Sequence, residues 1–152
     1  MSLVLILHSL LRWAVLLFGV IAIIKAIGGL SGKRIYTSGD NKMSLFFMIS
    51  CDIQFLLGLA LYFGNSWFDK LKEPGNMKIS SIRFFTIEHS MMMILAWILV
   101  HMGRVLVKKS LTDSAKHKKT LIFFGLAIVL ILAAIPWPVR ESIARPLFRW
   151  FS

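Results

Sequence analysis

Several side chains able to bind metals or carry protons fall where the surrounding sequence is otherwise apolar. LHSLLRW holds His8 and Arg12, CDIQFLLGL holds Asp52 and Gln54, and IEHSMMMILAWILVHMGR holds Glu88, His89, His101 and Arg104. An ionisable group among hydrocarbon is costly enough to mark a functional site, and its partner has to be found. A neutral imidazole offers a nitrogen lone pair to a metal or a proton. Two imidazoles facing each other at one level can grip an iron from both sides. Cys51 is the only cysteine, so neither an intramolecular disulfide nor a C-x-x-C-H covalent haem attachment is available.

These residues must be positioned by membrane helices. The chain has 152 residues, enough for one domain, and is 57% hydrophobic and 16% charged, with a mean hydropathy of +0.75. A soluble fold of this size could not bury so much apolar surface. The 18 Lys and Arg outnumber the 7 Asp and Glu, for a net charge of +11, but they lie between long apolar blocks. Nucleic-acid binders spread basic residues over a water-facing surface, so a nucleic-acid partner is not expected. Contact with a lipid bilayer is. Leu3 to Leu30, Met43 to Phe63, Phe84 to Val107 and Leu121 to Trp137 are each long and apolar enough to cross it. The expected fold is all-α: an integral membrane up-down four-helix bundle, with residues 1–152 forming a single domain.

The tail, residues 138–152, alternates Arg140, Arg145 and Arg149 with Ile143, Leu147, Phe148 and Phe151, an amphipathic pattern suited to a bilayer surface. Pro146 should break any helix there. The first span lacks a basic leader and an A-x-A site, so it is expected to stay in the mature protein. The side bearing the first and third loops carries ten basic residues: Lys25, Lys33, Arg34, Lys42, Arg104, Lys108, Lys109, Lys116, Lys118 and Lys119. The opposite side carries seven: Lys70, Lys72, Lys78, Arg83, Arg140, Arg145 and Arg149. The positive-inside rule then places both termini outward, with Trp67, Trp137 and Trp150 in an aromatic belt on that side.

In such a bundle the first and third spans run parallel and enter from the same side. His8 and His89 then lie at one depth, about 8 Å inside the surface, and on diagonal helices. Small residues at that level, Gly58 on the second span and Ala133 and Ala134 on the fourth, would leave room for a flat macrocycle. On the third span His89, Met93, Ala96, Val100 and Gly103 form one inward ladder at helical spacing. His101 lies about 18 Å further along and on another face; a second haem would need it to pair with His117.

LHSLLRW, DIQFLLGLALYF, FFTIEHSMMMILAWILVHMGR and FFGLAIVLILAAIPW together resemble a family of small bacterial four-span membrane proteins described as cytochrome b-like. The resemblance covers nearly the whole chain. It implies non-covalent haem b, electron transfer in the bacterial inner membrane, and His8, His89 and His101 as haem-region histidines, with Arg12 and Arg104 close by. One departure is Asp52, which stands where a histidine is expected before the IQ-x-LLGL stretch.

Plainer roles stand beside these. His8 and His89 could be packing histidines bonded to backbone or to Glu88. Arg12 is better matched by an ion pair with Asp52 than by a haem propionate. Arg83 and Arg140 are better placed for propionates, although Arg83 could equally pair with Glu88. His117, in AKHKKT, reads as a solvated loop residue. His89 with Met92 and Met93 would suit copper, but such methionines more often fill cores, so copper is not expected. No nucleophile–base pair, phosphate loop or paired carboxylate is present, so an electron-transfer protein or subunit is expected rather than a stand-alone enzyme. The axial ligands would be His8 and His89, and the partners the quinone pool and a respiratory partner. The rivals are a non-catalytic accessory or assembly subunit of a larger membrane complex and a copper or proton pathway protein.

Overall fold

The computed structural model describes residues 3–148; Arg149, Trp150 and Phe151 of the expected tail and belt lie outside the described residues. Four long helices dominate: α1 (Leu3–Ser31), α2 (Ser38–Gly64), α4 (Ser80–Lys108) and α5 (Asp113–Ala134). All four are long and apolar enough to cross a membrane, the construction of a multi-pass membrane protein. A short helix, α3 (Trp67–Lys72), and a 3-10 turn (Asn76–Lys78) join α2 to α4. α1 and α4 each pack against both α2 and α5, which makes α1 and α4 diagonal partners in an up-down four-helix bundle.

The inner face of each helix follows a four-three spacing of mostly small residues. Val15, Gly19, Ala22, Ala26 and Gly29 of α1 are buried, as are Ala96, Val100, Gly103 and Val107 of α4. In α5 the run is His117, Thr120, Phe124, Ala127, Ile131 and Ala134. This is the seam of left-handed helix packing, and small side chains let helix backbones approach where lipid offers no hydrophobic drive. Phe47 and Phe124 meet edge to face at 5.0 Å in the middle of the core. Leu17, Ile24, Leu56, Phe63 and Val129 are all more than half exposed, so the outer surface is as apolar as the inner one, as a lipid-facing surface must be.

The helix ends depart from the expected spans for identifiable reasons. Thr37 caps α2, its side chain accepting from the Asp40 amide while Asp40 accepts from the Thr37 amide, a reciprocal capping box. Thr112 caps α5 with its side chain, accepting from the Ala115 amide without a return bond, so α5 begins eight residues before Leu121. It ends at Ala134 rather than Trp137, because Pro136 and Pro138 supply no amide hydrogen to continue it.

Asp40 also ties α1 to α2. It accepts both terminal nitrogens of Arg34, at 2.9 and 3.0 Å, and lies 3.3 Å from Lys25 Nζ. The hydrogen bond to Asp40 raises the pKa of Arg34 above its usual value. Asp40→Ala should therefore cost more than the ~1 kcal/mol of a lost N-cap. In detergent it should lower the unfolding temperature further than Thr37→Ala does; an equal loss would show that the Arg34 and Lys25 contacts contribute nothing.

Among the described residues beyond Ala134, 135–148, none is helical. Ile143 is buried, and the Arg145 amide donates to the Pro136 carbonyl at 3.0 Å. Ile143 of the tail is thus used against the end of the bundle itself, while Phe148 stays about half exposed.

Candidate functional site: a histidine layer at one end of the bundle

His8 of α1 and His89 of α4 meet across the bundle diagonal, with ring centroids 6.4 Å apart and planes inclined by 62°. The expected layer is present. Gly58 lies in it: a Cβ there would stand in ordinary contact with His8, 3.4 Å from Cε1, so the helix backbone comes right up to the imidazole. Gln54, one turn away on the same helix, donates from Nε2 to the His8 carbonyl at 3.0 Å and ties α2 to α1 at this depth. Ala134 is buried here, whereas Ala133 faces outward, against expectation.

The fourth helix contributes a backbone group. His89 Nδ1 lies 2.9 Å from the Ala134 carbonyl oxygen, and because a carbonyl can only accept, Nδ1 carries the hydrogen and donates. In the neutral ring Nε2 then holds the lone pair. Such a bond, orienting the ring and fixing its tautomer, is the usual outer support of a metal-ligating histidine. The carbonyl is free because its helical acceptor bond would come from residue 138, a proline. The Leu132 carbonyl is freed likewise by Pro136 and accepts from Trp137 Nε1 at 2.9 Å, while Arg140 donates to the Ala133 carbonyl at 2.9 Å. The signal was in the sequence: prolines two apart in AAIPWPVR release carbonyls at fixed offsets.

A π turn over Phe84–Glu88 immediately precedes His89. The extra residue in the turn re-aims the helix that follows, and such turns recur at functional sites. Thr86 Oγ1 donates to the Ile82 carbonyl at 2.7 Å and Ser90 Oγ to the Phe85 carbonyl at 3.1 Å. Phe84 and Phe85 pack beside the His89 ring, at 5.9 and 6.2 Å. Arg140 lies over Phe84 and Arg145 over Phe85, at 4.9 and 4.8 Å. Arg145 thus joins the site as a cation that went unremarked among the candidates.

Other expected residues go elsewhere. Arg83 pairs with Glu88 at 2.8 Å, the plainer of its two roles. Arg12 donates to the Leu147 carbonyl of the tail, beside Trp13 Nε1 on the same oxygen. The expected Arg12–Asp52 ion pair gives way because Asp52 faces α4. Its Oδ1 accepts from Trp97 Nε1 at 2.7 Å and lies 3.2 Å from His101 Nε2. His101 Nδ1 lies 3.0 Å from the Trp97 carbonyl, so both nitrogens of His101 are engaged, and an iron at His101 would have to break the Asp52 contact. Arg104 lies fifteen residues beyond His89, about 22 Å along the helix, so the layer does not include it. Met93 packs against the core while Met91 is exposed.

His117 corrects the expectation of a solvated loop residue. It lies in the first turns of α5, 1% exposed, because it occupies the buried four-three seam. Its ring packs at 5.2 Å from Tyr36, and Nε2 donates to the Arg34 carbonyl at 3.2 Å. No protein-family model, curated protein or solved structure matches the chain.

Proposed function

We propose that the chain is a membrane b-type cytochrome, holding one non-covalent haem between His8 and His89 and relaying electrons between the quinone pool and a respiratory partner. Its termini would lie on the outer side of a bacterial inner membrane. The observation that carries this reading is the facing pair of imidazoles. Two imidazoles bound about 2 Å from either side of one metal have centroids on the order of 6 Å apart, and these stand 6.4 Å apart. His8 Nδ1 is buried without a hydrogen-bond partner. Among the described residues no three or more His, Cys, Asp or Glu gather as a metal cluster. A metal held by protein donors alone asks for three or four, whereas two imidazoles suit an iron that brings its own equatorial ligands.

When bound, haem would supply one-electron chemistry. The chain's own residues would bind it and shape its surroundings. His8 and His89 would hold the iron, Gly58 would provide clearance, and the Ala134 carbonyl would hold the His89 tautomer. Phe84 and Phe85 exclude water from one wall, and Arg140 and Arg145 are the cations to neutralise carboxylates there.

A second reading, an accessory subunit of a larger complex, is favoured by one observation. The side chains of Asp52 and His101 are 37% and 34% exposed on a face that would meet hydrocarbon, where an ionisable pair is costly and a partner helix would cover it.

Reduced-minus-oxidised spectra of protein purified from haem-replete cells, with a pyridine haemochrome assay, separate the two. About one haem b per chain is expected. A flat difference spectrum would overturn the cytochrome reading and leave the accessory one, whose mark is comigration with a larger complex on native gels.

A further inference from the structure

At the other end of the bundle a second polar centre is built around Arg104. Its side chain is 4% exposed, yet it pairs with no carboxylate; Nη1 donates to Asn41, to Oδ1 at 2.6 Å and to the carbonyl at 3.2 Å. Arg104 Nε and His117 Nδ1 are both buried without a hydrogen-bond partner. Tyr36 connects them, since its hydroxyl faces Thr120 and Ser44 near Arg104, and burial raises its pKa above the usual phenol value. A buried cation without a counter-charge is unfavourable, and so are unpaired buried polar atoms.

A groove of about 260 Å³ lies directly above, and Asn41, the acceptor of Arg104, is part of its lining. Thr37, Ser38, Lys108 and Lys116 supply its polar rim. The charge at this end is one-sided, ten Lys and Arg against only Asp40 and Asp113. Asp40 is already held by Arg34 and Lys25, and Asp113 reaches Lys116 only at 4.0 Å.

We propose that this groove is an anion site that takes a phosphoryl group, from the headgroup of an anionic phospholipid or from free phosphate. Lys108 and Lys116 contact the oxyanion as point charges, the Ser38 hydroxyl donates to it while that of Thr37 stays bonded to Asp40, and Arg104 beneath Asn41 supplies the buried positive field. Its place between transmembrane helices at a basic membrane face is where acidic headgroups are bound. The site does not depend on the histidine layer.

The test uses the full chain in detergent. Its unfolding temperature and native mass spectrum are followed with dihexanoylphosphatidylglycerol, dihexanoylphosphatidylcholine, inorganic phosphate, or sodium chloride at matched ionic strength. Saturable stabilisation by the anionic lipid is expected, with a retained lipid adduct and none from phosphatidylcholine or chloride. Stabilisation by inorganic phosphate as well would name free phosphate as a source. Lys108→Ser/Lys116→Ser should weaken binding at least tenfold, and Arg104→Gln, where it folds, comparably, while Lys118→Ser, outside the groove, should bind as the parent does. The proposal is overturned by absence of saturable binding, or by equal losses in the rim and Lys118 variants; either would leave water as the filler of the polar centre.

Discussion

On the proposed haem reading, replacing His89 by alanine is expected to abolish the low-spin b-type spectrum of the purified protein, and replacing His8 to do the same by a different route. His89 is the more constrained ring: the Ala134 carbonyl fixes its Nδ1 hydrogen and the π turn re-aims its helix. Without it, α4 loses its ligand and the Ala134 carbonyl loses its donor, so haem should be absent from the preparation. His8→Ala leaves His89 oriented as before and opens space beside Gly58. Residual haem should then be high-spin, and millimolar imidazole should restore a low-spin spectrum by occupying the vacated position. His117→Ala should leave the spectrum intact, because His117 lies at the opposite end of the bundle. An unchanged low-spin spectrum in either the His8 or the His89 variant would show that the facing pair does not hold the iron.

A second large effect is expected at Gly29. A Cβ built there would collide with Cε1, Nδ1 and Nε2 of the His117 ring. The ring cannot withdraw easily, as Nε2 is bonded to the Arg34 carbonyl and one face packs on Tyr36. Gly29→Ala should therefore push α1 away from α5 and cost about 1–3 kcal/mol, the range of overpacked cores. His117→Ala should also destabilise, by leaving a cavity and an unsatisfied carbonyl. In the double variant the clash is gone, so the two losses should fall short of additivity by 0.5 kcal/mol or more, within the roughly 0.5–3 kcal/mol seen for contacting residues. Strict additivity in denaturant or thermal unfolding would show that the two residues do not press on each other.

The His117 result shows where sequence reading loses information. Lysines around AKHKKT make the segment look like loop, because local charge outweighs pattern when spans are sought by hydropathy. Thr112 nonetheless starts the helix early, so the same residues form an aqueous turn of α5 with one face turned inward. The three-four register from His117 through Thr120, Phe124, Ala127, Ile131 and Ala134 was legible and would have placed it.

Asp52 fails for another reason. Its depth matches that of Arg12, but depth does not say which neighbouring helix a side chain faces. That depends on the rotation of α2, which turns Asp52 toward Trp97 and His101 of α4.

By itself the sequence determined the membrane bundle and the shared level of His8 and His89. Both follow from one-dimensional quantities: the lengths of apolar runs, the rise per residue, and the alternation of helix direction forced by short loops. The same arithmetic brought His8, Gly58 and His89 to one level. Tertiary structure alone decided what those rings touch. The 6.4 Å approach of the imidazoles, the Ala134 carbonyl behind His89, the return of the tail onto Arg12 and the burial of Arg104 each depend on how helices rotate and pack. Those rotations are set jointly by small-residue seams, a π turn and proline-freed carbonyls, and no single segment contains the contacts that fix them.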